Sequence, residues 1–324
     1  VLDNDYDKRP GIMKKTVEPA VSQALASISF FEKLDLSSIK IERLGGLTNR
    51  NYKIDCTLGV FVLRLAGEGT SDYIDRKAEH HNALIASNAG VNAQIIHFDV
   101  DRGTMVSRYI DNGTTLDIAA FKDEAVLNRT GHAFRQLHDC GQEFSGQFEL
   151  FQQIDQYLSV LNDLGAELPS GYAEVQKDAE KLRTALTSHP LPNRPCHCDP
   201  MVENCVDNGK KVFIIDFEYA GNNDPMWDLG DLSVEGDFSE EQENIFMTAY
   251  FGHEPTPFDV GRMVMYKAMC DLLWTLWGVV QHANNNPADD FWTYAVDRLN
   301  RCRTLMSSSE FPKHLSAVQR GPNE

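Results

Sequence analysis

The segment from His197 to Asp216 combines side chains that phosphoryl transfer requires. Asn204 follows Asp199 by five positions. A turn at 207–209 comes next, and an apolar run after this turn ends at Asp216. The Asp199 carboxylate can accept the proton of an attacking hydroxyl, and carboxylate and amide oxygens are ligands that Mg²⁺ prefers. The spacing predicts a small-molecule kinase in which Asp199, Asn204 and Asp216 are catalytic, with Asn204 and Asp216 as the metal ligands.

Asp and Asn are also common turn residues, so an Asp followed five positions later by an Asn means little alone. The context favours function here, because His197 precedes Asp199 by two positions and a tight turn and an apolar strand lead into Asp216. We expect His197 to shape the backbone of this loop. We expect a later acidic residue, Asp228, to brace the loop rather than to touch substrate.

The same residues carry a resemblance to a known family. The segment resembles the catalytic and metal-binding loops of choline/ethanolamine kinases, within the aminoglycoside-phosphotransferase-like and protein-kinase-like superfamily. The acidic signature of that family matches 215–220, Asn223 and Asp228, and the similarity extends from about Leu44 to about Leu299. Four positions differ from the residues that are usual in this family, and none of these differences removes a charged catalytic group. The four residues are Cys198, Pro200, Met201 and Asp231.

The resemblance implies an α+β, protein-kinase-like fold of two lobes. Residues 1–110 would form a small N-terminal nucleotide-binding lobe with an antiparallel sheet and one main helix. Residues 111–324 would form a larger, mostly helical lobe for catalysis and substrate binding. ATP would bind between the lobes together with Mg²⁺, and the acceptor would be choline or ethanolamine.

Two glycines of the N-terminal region, Gly45 and Gly46, lie between two alternating apolar segments. Glycine lets the backbone approach a phosphate closely, although a Gly-Gly pair is more often only a turn. Together with Thr48 and Asn49, which can form hydrogen bonds, the pair resembles the nucleotide-covering loop of the family.

The resemblance also implies a pair of charged residues that contacts the phosphates. Arg64 lies in a predicted strand over 60–65, and Glu79 lies in a predicted helix over about 72–88. In protein kinases, a strand Lys pairs with a helix Glu in this way. The alternative is that Arg64 reaches solvent and Glu79 lies on an exposed helix face. A predicted strand over 104–110 would then lead into the adenine-binding linker, with Ser107, Tyr109 and Ile110.

A pair of tryptophans indicates how the acceptor could be recognised. Trp274 and Trp277 are three positions apart and therefore share one helix face. A buried aromatic stripe is the simpler interpretation, but the spacing also resembles the family segment that lines the choline pocket. A quaternary ammonium has no N–H to donate, so aromatic faces and carboxylates select it. The resemblance adds further acceptor-site residues, which are Glu218, Glu235, Phe291, Trp292 and Tyr294.

The composition limits the other possibilities. The chain has 324 residues, 42% of them hydrophobic, and a net charge of −18. An acidic chain of this kind argues against nucleic-acid binding, and no apolar run is long enough to predict a membrane span. The polar N-terminus lacks the pattern of a signal peptide, so we expect the seven cysteines to be free thiols in a cytoplasmic protein. The oligomeric state stays open.

Two alternatives remain for the function. One is a kinase of the same fold for another hydroxyl substrate, such as an aminoglycoside or thiamine, because one fold hosts many substrates. An aminoglycoside carries several ammonium groups and would need an extended acidic cleft. The Trp pair is therefore the feature that discriminates choline from an aminoglycoside as the acceptor. The other alternative is a non-catalytic nucleotide-binding module, which the joint presence of Asp199, Asn204 and Asp216 disfavours.

Overall fold

The structure is a computed structural model that describes residues 18–35, 38–45, 49–67 and 74–323. The chain divides into two compact units, the first made of residues 1–70 and 96–109 and the second of residues 71–95 and 110–324. The segment 71–95, expected in the N-terminal lobe, therefore groups with the C-terminal residues. One physical reason is Asn82, whose amide group donates to the carbonyls of Ser145 and Ala220 and accepts from the Ser145 N–H.

The first unit contains helix α1 (Pro19–Ser27) and a five-stranded sheet. The strands are β1 (Lys40–Arg43), β2 (Arg50–Cys56), β3 (Gly59–Leu65), β4 (Ile95–Asp99) and β5 (Thr104–Arg108), in the sheet order β1-β2-β3-β5-β4. Strand β3 is antiparallel to β2 and to β5, as the prediction of an antiparallel sheet requires. The last strand ends at Arg108, two residues before the predicted end.

Alternation along β2 and β3 explains the core of this sheet. Tyr52 and Ile54 on β2, and Phe61 and Leu63 on β3, are buried, because successive side chains of a strand point to opposite faces. Helix α1 covers these residues with Val21 and Leu25, which belong to the same apolar cluster. A tight turn at 57–58 joins the two strands, and Gly59 follows it with a φ of 124° that favours glycine.

The second unit is mostly helical. Its helices are α2 (Arg76–Asn88), α3 (Glu124–His138), α4 (Leu150–Asp163), α5 (Tyr172–Ser188), α6 (Pro225–Glu235), α7 (Glu240–Phe251), α8 (Pro257–Ala283), α9 (Phe291–Met306) and α10 (Phe311–Arg320). Its short strands are β6 (Thr114–Thr115), β7 (Arg194–Cys196), β8 (Cys205–Asp207), β9 (Val212–Ile214) and β10 (Gly221–Asn223). Strand β8 lies between β6 and β9 in one sheet, and β7 pairs with β10 in another.

Helix α2 begins later than predicted. The sequence pattern predicts a start near residue 72, whereas the helix starts at Arg76 and residues 72 and 73 lie outside the described ranges. Asp75 fixes this start, because its carboxylate accepts hydrogen bonds from the backbone N–H groups of Lys77 and Ala78.

Helix α8 is the central helix of the second unit. It is 27 residues long, and by length and composition it could cross a membrane, but 83% of its most apolar window is buried inside the protein. Thr256 and Asp259 form a reciprocal capping box at its start, where Pro257 occupies the first turn. Such burial identifies α8 as a core helix, and it packs against α6, α9 and α10.

Candidate active site

The loop that carries Asp199 begins directly after strand β7 and has an unusual backbone. Cys198 has a φ of 68°, in the left-handed region that non-glycine residues rarely occupy. Asp228 on α6 holds this conformation, because its carboxylate accepts hydrogen bonds from the N–H groups of His197 at 2.7 Å and Cys198 at 2.9 Å. The bracing role predicted for Asp228 is therefore confirmed.

Asp228 is itself fixed by a buried partner. The side chains of His138 and Asp228 are both fully buried, and the His138 Nε2 lies 3.0 Å from the Asp228 carboxylate. The other ring nitrogen of His138 lies 2.9 Å from the hydroxyl of Tyr250 on α7. A buried carboxylate with three such partners is strongly oriented, since each hydrogen bond to a charged group is worth about 1.5–3 kcal/mol.

His197 connects the catalytic loop to the strand that precedes Asp216. Its Nε2 lies 2.9 Å from the backbone carbonyl of Ile215, and its ring packs edge-on against Phe217 at 4.9 Å between centroids. Burial lowers the pKa of His197, which favours the neutral ring. The prediction that His197 shapes the backbone rather than acting as a base agrees with these contacts.

Asp199 is partly exposed and lies among other carboxylates. Desolvation, with the nearby charges of Asp216 and Glu235, raises the pKa of Asp199 to about 7. The amide nitrogen of Asn204 donates to the Asp199 backbone carbonyl at 3.2 Å, which leaves the amide oxygen as the atom that can bind a metal. Asp199, Asn204 and Asp216 thus form one neighbourhood in the structure.

Asp216 follows β9 and belongs to a cluster of three carboxylates. One carboxylate oxygen from each of Asp216, Glu218 and Glu79 lies within 4.8 Å of the others. Asp216 has a φ of 68°, so the chain adopts a second left-handed residue at the site. Such strain persists only where surrounding structure enforces it. Carboxylate oxygens at this spacing fit a hard cation such as Mg²⁺.

Arg76 is a residue of this cluster that the sequence did not indicate. Its guanidinium pairs with Glu79 at 2.6 Å and with Glu218 at 2.7 Å, and all three side chains are buried. Glu218, expected to bind substrate, therefore lies in the carboxylate cluster. The Arg76–Glu79 spacing of three on a helix was a usable signal, because residues at i and i+3 are neighbours. The pairing with Glu218 depends on tertiary structure.

The residues predicted to bind nucleotide lie in the first unit, apart from Glu79 and Ile110. Arg64 is buried, donates to the Gly103 carbonyl at 3.4 Å and lies over the Phe98 ring. Asn49 is buried and accepts from the Gly67 N–H, and Ser107 is buried in β5. The Gly45 carbonyl accepts a hydrogen bond from the Asn51 amide, and Tyr109 lies beside Lys53. Gly46 and Thr48 lie outside the described residues.

Four aromatic residues from α8 and α9 form one group, here called the aromatic cluster: Trp274, Trp277, Phe291 and Tyr294. The ring of Trp277 meets the other three edge-on, at centroid distances of 6.0 Å to Trp274, 5.4 Å to Phe291 and 5.7 Å to Tyr294. Trp274 is buried and Trp277 is partly exposed. Trp292, expected in this group, instead packs against His282 at 5.2 Å, because neighbouring helix positions face different directions.

Glu235 lies at the end of α6 and is paired. The Arg298 guanidinium contacts its carboxylate at 2.5 Å and lies over the Tyr294 ring at 4.9 Å. Glu235 also lines a cavity of about 440 Å³, together with residues of the catalytic loop; its other lining residues are Asp117, Ile118, Ala119, Met201, Val202 and Glu203. Arg298 was missed from sequence, since a charge among helical residues does not reveal its partner.

Comparisons with known proteins identify relatives of this chain. Residues 41–250 match the family model described as choline/ethanolamine kinase. A crystal structure of a choline/ethanolamine kinase family protein from Mesorhizobium loti is 46% identical, with a TM-score of 0.86, and the match covers 93% of this chain and 99% of that one.

Two further relatives come from other bacteria. The crystal structure of choline kinase LicA from Streptococcus pneumoniae is 26% identical, with a TM-score of 0.73, and the match covers 89% of this chain and 98% of that one. Protein LicA of Haemophilus influenzae is 27% identical over 287 residues, which are 85% of this chain and 82% of that protein. The structural matches confirm the predicted protein-kinase-like fold class.

Proposed function

The chain belongs to the choline/ethanolamine kinase family, and from this premise we propose that it transfers the γ-phosphoryl group of ATP to the hydroxyl of choline or ethanolamine. It is a phosphotransferase with an alcohol as acceptor. The observation that carries the proposal is the neighbourhood of Asp199, Asn204 and Asp216 on a loop that Asp228 braces.

Asp199 is the base of the proposed reaction. It orients the acceptor hydroxyl and takes its proton as the bond to phosphorus forms. A carboxyl whose pKa is raised to about 7 binds that proton more readily than an ordinary aspartate. The reaction needs no covalent enzyme intermediate, so orientation and electrostatics provide the rate acceleration.

Asn204 and Asp216 are the proposed ligands of Mg²⁺, with Glu218 and Glu79 close to Asp216. When bound, Mg²⁺ neutralises charge on the phosphates of ATP. Arg76 neutralises part of the charge that Glu79 and Glu218 bring to this cluster. In the first unit, the residues proposed to bind nucleotide are Gly45, Gly46, Thr48, Asn49, Arg64, Ser107 and Tyr109, and Ile110 follows them in the second.

The aromatic cluster is the proposed binding surface for the ammonium group of the acceptor. Each contact between a cation and an aromatic face is worth about 0.5–2 kcal/mol, and a quaternary ammonium depends on such faces because it cannot donate a hydrogen bond. The Glu235 carboxylate lies next to the cluster, because it contacts Arg298 and the Arg298 guanidinium lies over the ring of Tyr294. We place the protein in the cytoplasm, where its seven free thiols stay reduced.

The test is a coupled ADP-release assay with Mg-ATP against choline, ethanolamine, thiamine and kanamycin. We expect turnover with choline or ethanolamine well above turnover with the other two. Turnover with thiamine or kanamycin instead would keep Asp199, Asn204 and Asp216 in their roles but assign the aromatic cluster to the core. The absence of turnover with any acceptor would overturn the proposed activity, and nucleotide titration would then test for a binding module.

A further inference from the structure

Asp231 on α6 is a buried acid with an incomplete set of partners. The residue is 1% exposed, and one carboxylate oxygen, Oδ1, accepts from the Cys270 thiol at 3.0 Å. The second oxygen, Oδ2, is buried and has no hydrogen-bond partner among the described residues. A carboxylate oxygen of Glu235, one helical turn away, lies within 4.8 Å of the Asp231 carboxylate and of the Cys270 sulfur.

The ion pairs around Asp231 contain equal numbers of positive and negative groups when Asp231 itself is uncharged. Arg298 on α9 contacts Glu235 at 2.5 Å and Asp271 at 3.3 Å, and Arg301 contacts Asp271 at 2.5 Å. Two guanidinium groups therefore face two carboxylates. An ionised Asp231 would add an uncompensated charge in a buried place, and it would lie near Glu235 and Asp199, which both repel it.

Two cations of α8 near this part of α6 are already paired, Lys267 with Glu243 and Arg262 with Asp224, so neither supplies a positive charge to Asp231. Tyr294 on α9 lies under Arg298. His138 on α3 and Cys196 on β7 lie close to Asp228, three residues before Asp231 on the same helix, and His138 is bonded to Asp228 and Tyr250. Burial raises the pKa of Asp231 well above its usual range, Glu235 and Asp199 raise it further, and the Cys270 hydrogen bond and the Arg298 charge oppose this rise without cancelling it.

We propose that Asp231 is a neutral carboxylic acid in the working enzyme and that its Oδ2–H donates a hydrogen bond to the Glu235 carboxylate. Asp231 is then a positioning residue, because it acts on the acceptor through Glu235. Glu235 is held between a neutral donor and Arg298, so the acceptor site presents one carboxylate rather than two. The kinetic consequence rests on the proposed choline/ethanolamine kinase activity, whereas the protonation state does not.

Kinetics of two substitutions test the role of the proton. An Asn at this position offers an N–H donor to Glu235 and a carbonyl to Cys270 without a charge, so Asp231→Asn should keep the acceptor KM within about twofold. Asp231→Ala removes the donor and should raise the acceptor KM about tenfold while the ATP KM stays unchanged. If Asp231 were ionised, Asp231→Asn would remove a negative charge near a cationic acceptor and would raise the acceptor KM as much as Asp231→Ala does. That result would overturn the proposal.

A second measurement needs no substrate and therefore separates this inference from the proposed activity. An acid whose pKa is raised on folding stabilises the protein fully below the unfolded pKa of about 4, and the stability is lost as the pH rises toward the folded pKa. Asp231→Asn lacks this loss, so in a melting series from pH 5 to pH 9 the melting temperature of the variant should rise relative to that of the wild type. The expected gain is about 3 °C per pH unit until Asp231 ionises in the folded protein.

The control for the melting series is Asp237→Asn, an exposed acid just after α6. Its melting temperature should follow the wild type in parallel over the same pH range. A constant difference between Asp231→Asn and the wild type would show that Asp231 is ionised throughout and would overturn the proposal. If no acceptor were turned over, the melting series would still decide the protonation state.

Discussion

Around the catalytic loop, Asp228 accepts hydrogen bonds from two backbone N–H groups and from His138, whereas the aromatic cluster of α8 and α9 is assembled through edge-on ring contacts. The first arrangement fixes positions and angles, because hydrogen bonds weaken steeply when they are bent or stretched. The second arrangement is broader, since ring pairs are favourable over centroid distances of about 4.5–7 Å.

The two regions therefore suit different tasks. Proton transfer and metal binding require atoms held within fractions of an ångström, and the left-handed residues Cys198 and Asp216 show that the backbone is enforced there. Recognition of an ammonium group requires a face of suitable charge, and it tolerates small movements. Substitutions in the first region should change kcat, and substitutions in the second should change the acceptor KM.

The largest effect is expected for Asp199→Asn. The substitution keeps the shape but removes the base, and we expect kcat to fall about 10³-fold in the ADP-release assay. The affinity for a non-hydrolysable ATP analogue should stay unchanged by calorimetry. Glu203→Gln, an exposed carboxylate near the end of the same loop, is the control and should keep kcat within twofold. A kcat within tenfold of the wild type in Asp199→Asn would place the base elsewhere.

A smaller but broader effect is expected for Asp228→Asn. The amide replaces an acceptor by a donor next to N–H groups, so we expect a loss of about 3 kcal/mol in the free energy of unfolding and a kcat about 10²-fold lower. Chemical denaturation and the kinase assay measure the two quantities. Asp139→Asn is the control, since its pair with Arg194 is nearly half exposed and is worth about 1 kcal/mol or less. Lost stability with unchanged kcat would mean that the brace does not position Asp199.

Much of the first region could be predicted from sequence, because its chemistry is local. A strand, a turn and a loop of fixed length bring Asp199, Asn204 and Asp216 together, and these are short-range features of the chain. The alternating apolar segments predicted around the Gly45–Gly46 pair are likewise local, and Tyr52 and Ile54 of β2 form a buried face.

The partners of buried charges could not be predicted in this way. Arg76 meets Glu218 and Arg298 meets Glu235 across large separations in the chain, and the helix packing decides these pairs. The family resemblance groups Trp292 with Phe291 and Tyr294, but in the structure Trp292 packs against His282. Phe291 and Tyr294, three positions apart on α9, both reach Trp277. The proposed protonation of Asp231 depends on the same packing, since its partners come from α6, α8 and α9.

The smallest effect is expected in the aromatic cluster, where Trp277→Ala should raise the choline KM about tenfold. Trp277 contacts three rings of the cluster, and the loss of one or two cation–aromatic contacts corresponds to about 1–2 kcal/mol. The ATP KM and kcat should change less than twofold. Trp292→Ala is the matched control, because its ring packs against His282 on the neighbouring helix and its loss should leave the choline KM unchanged. A lower melting temperature with an unchanged choline KM in Trp277→Ala would make the cluster part of the core, and ammonium recognition would then depend on the carboxylate of Glu235.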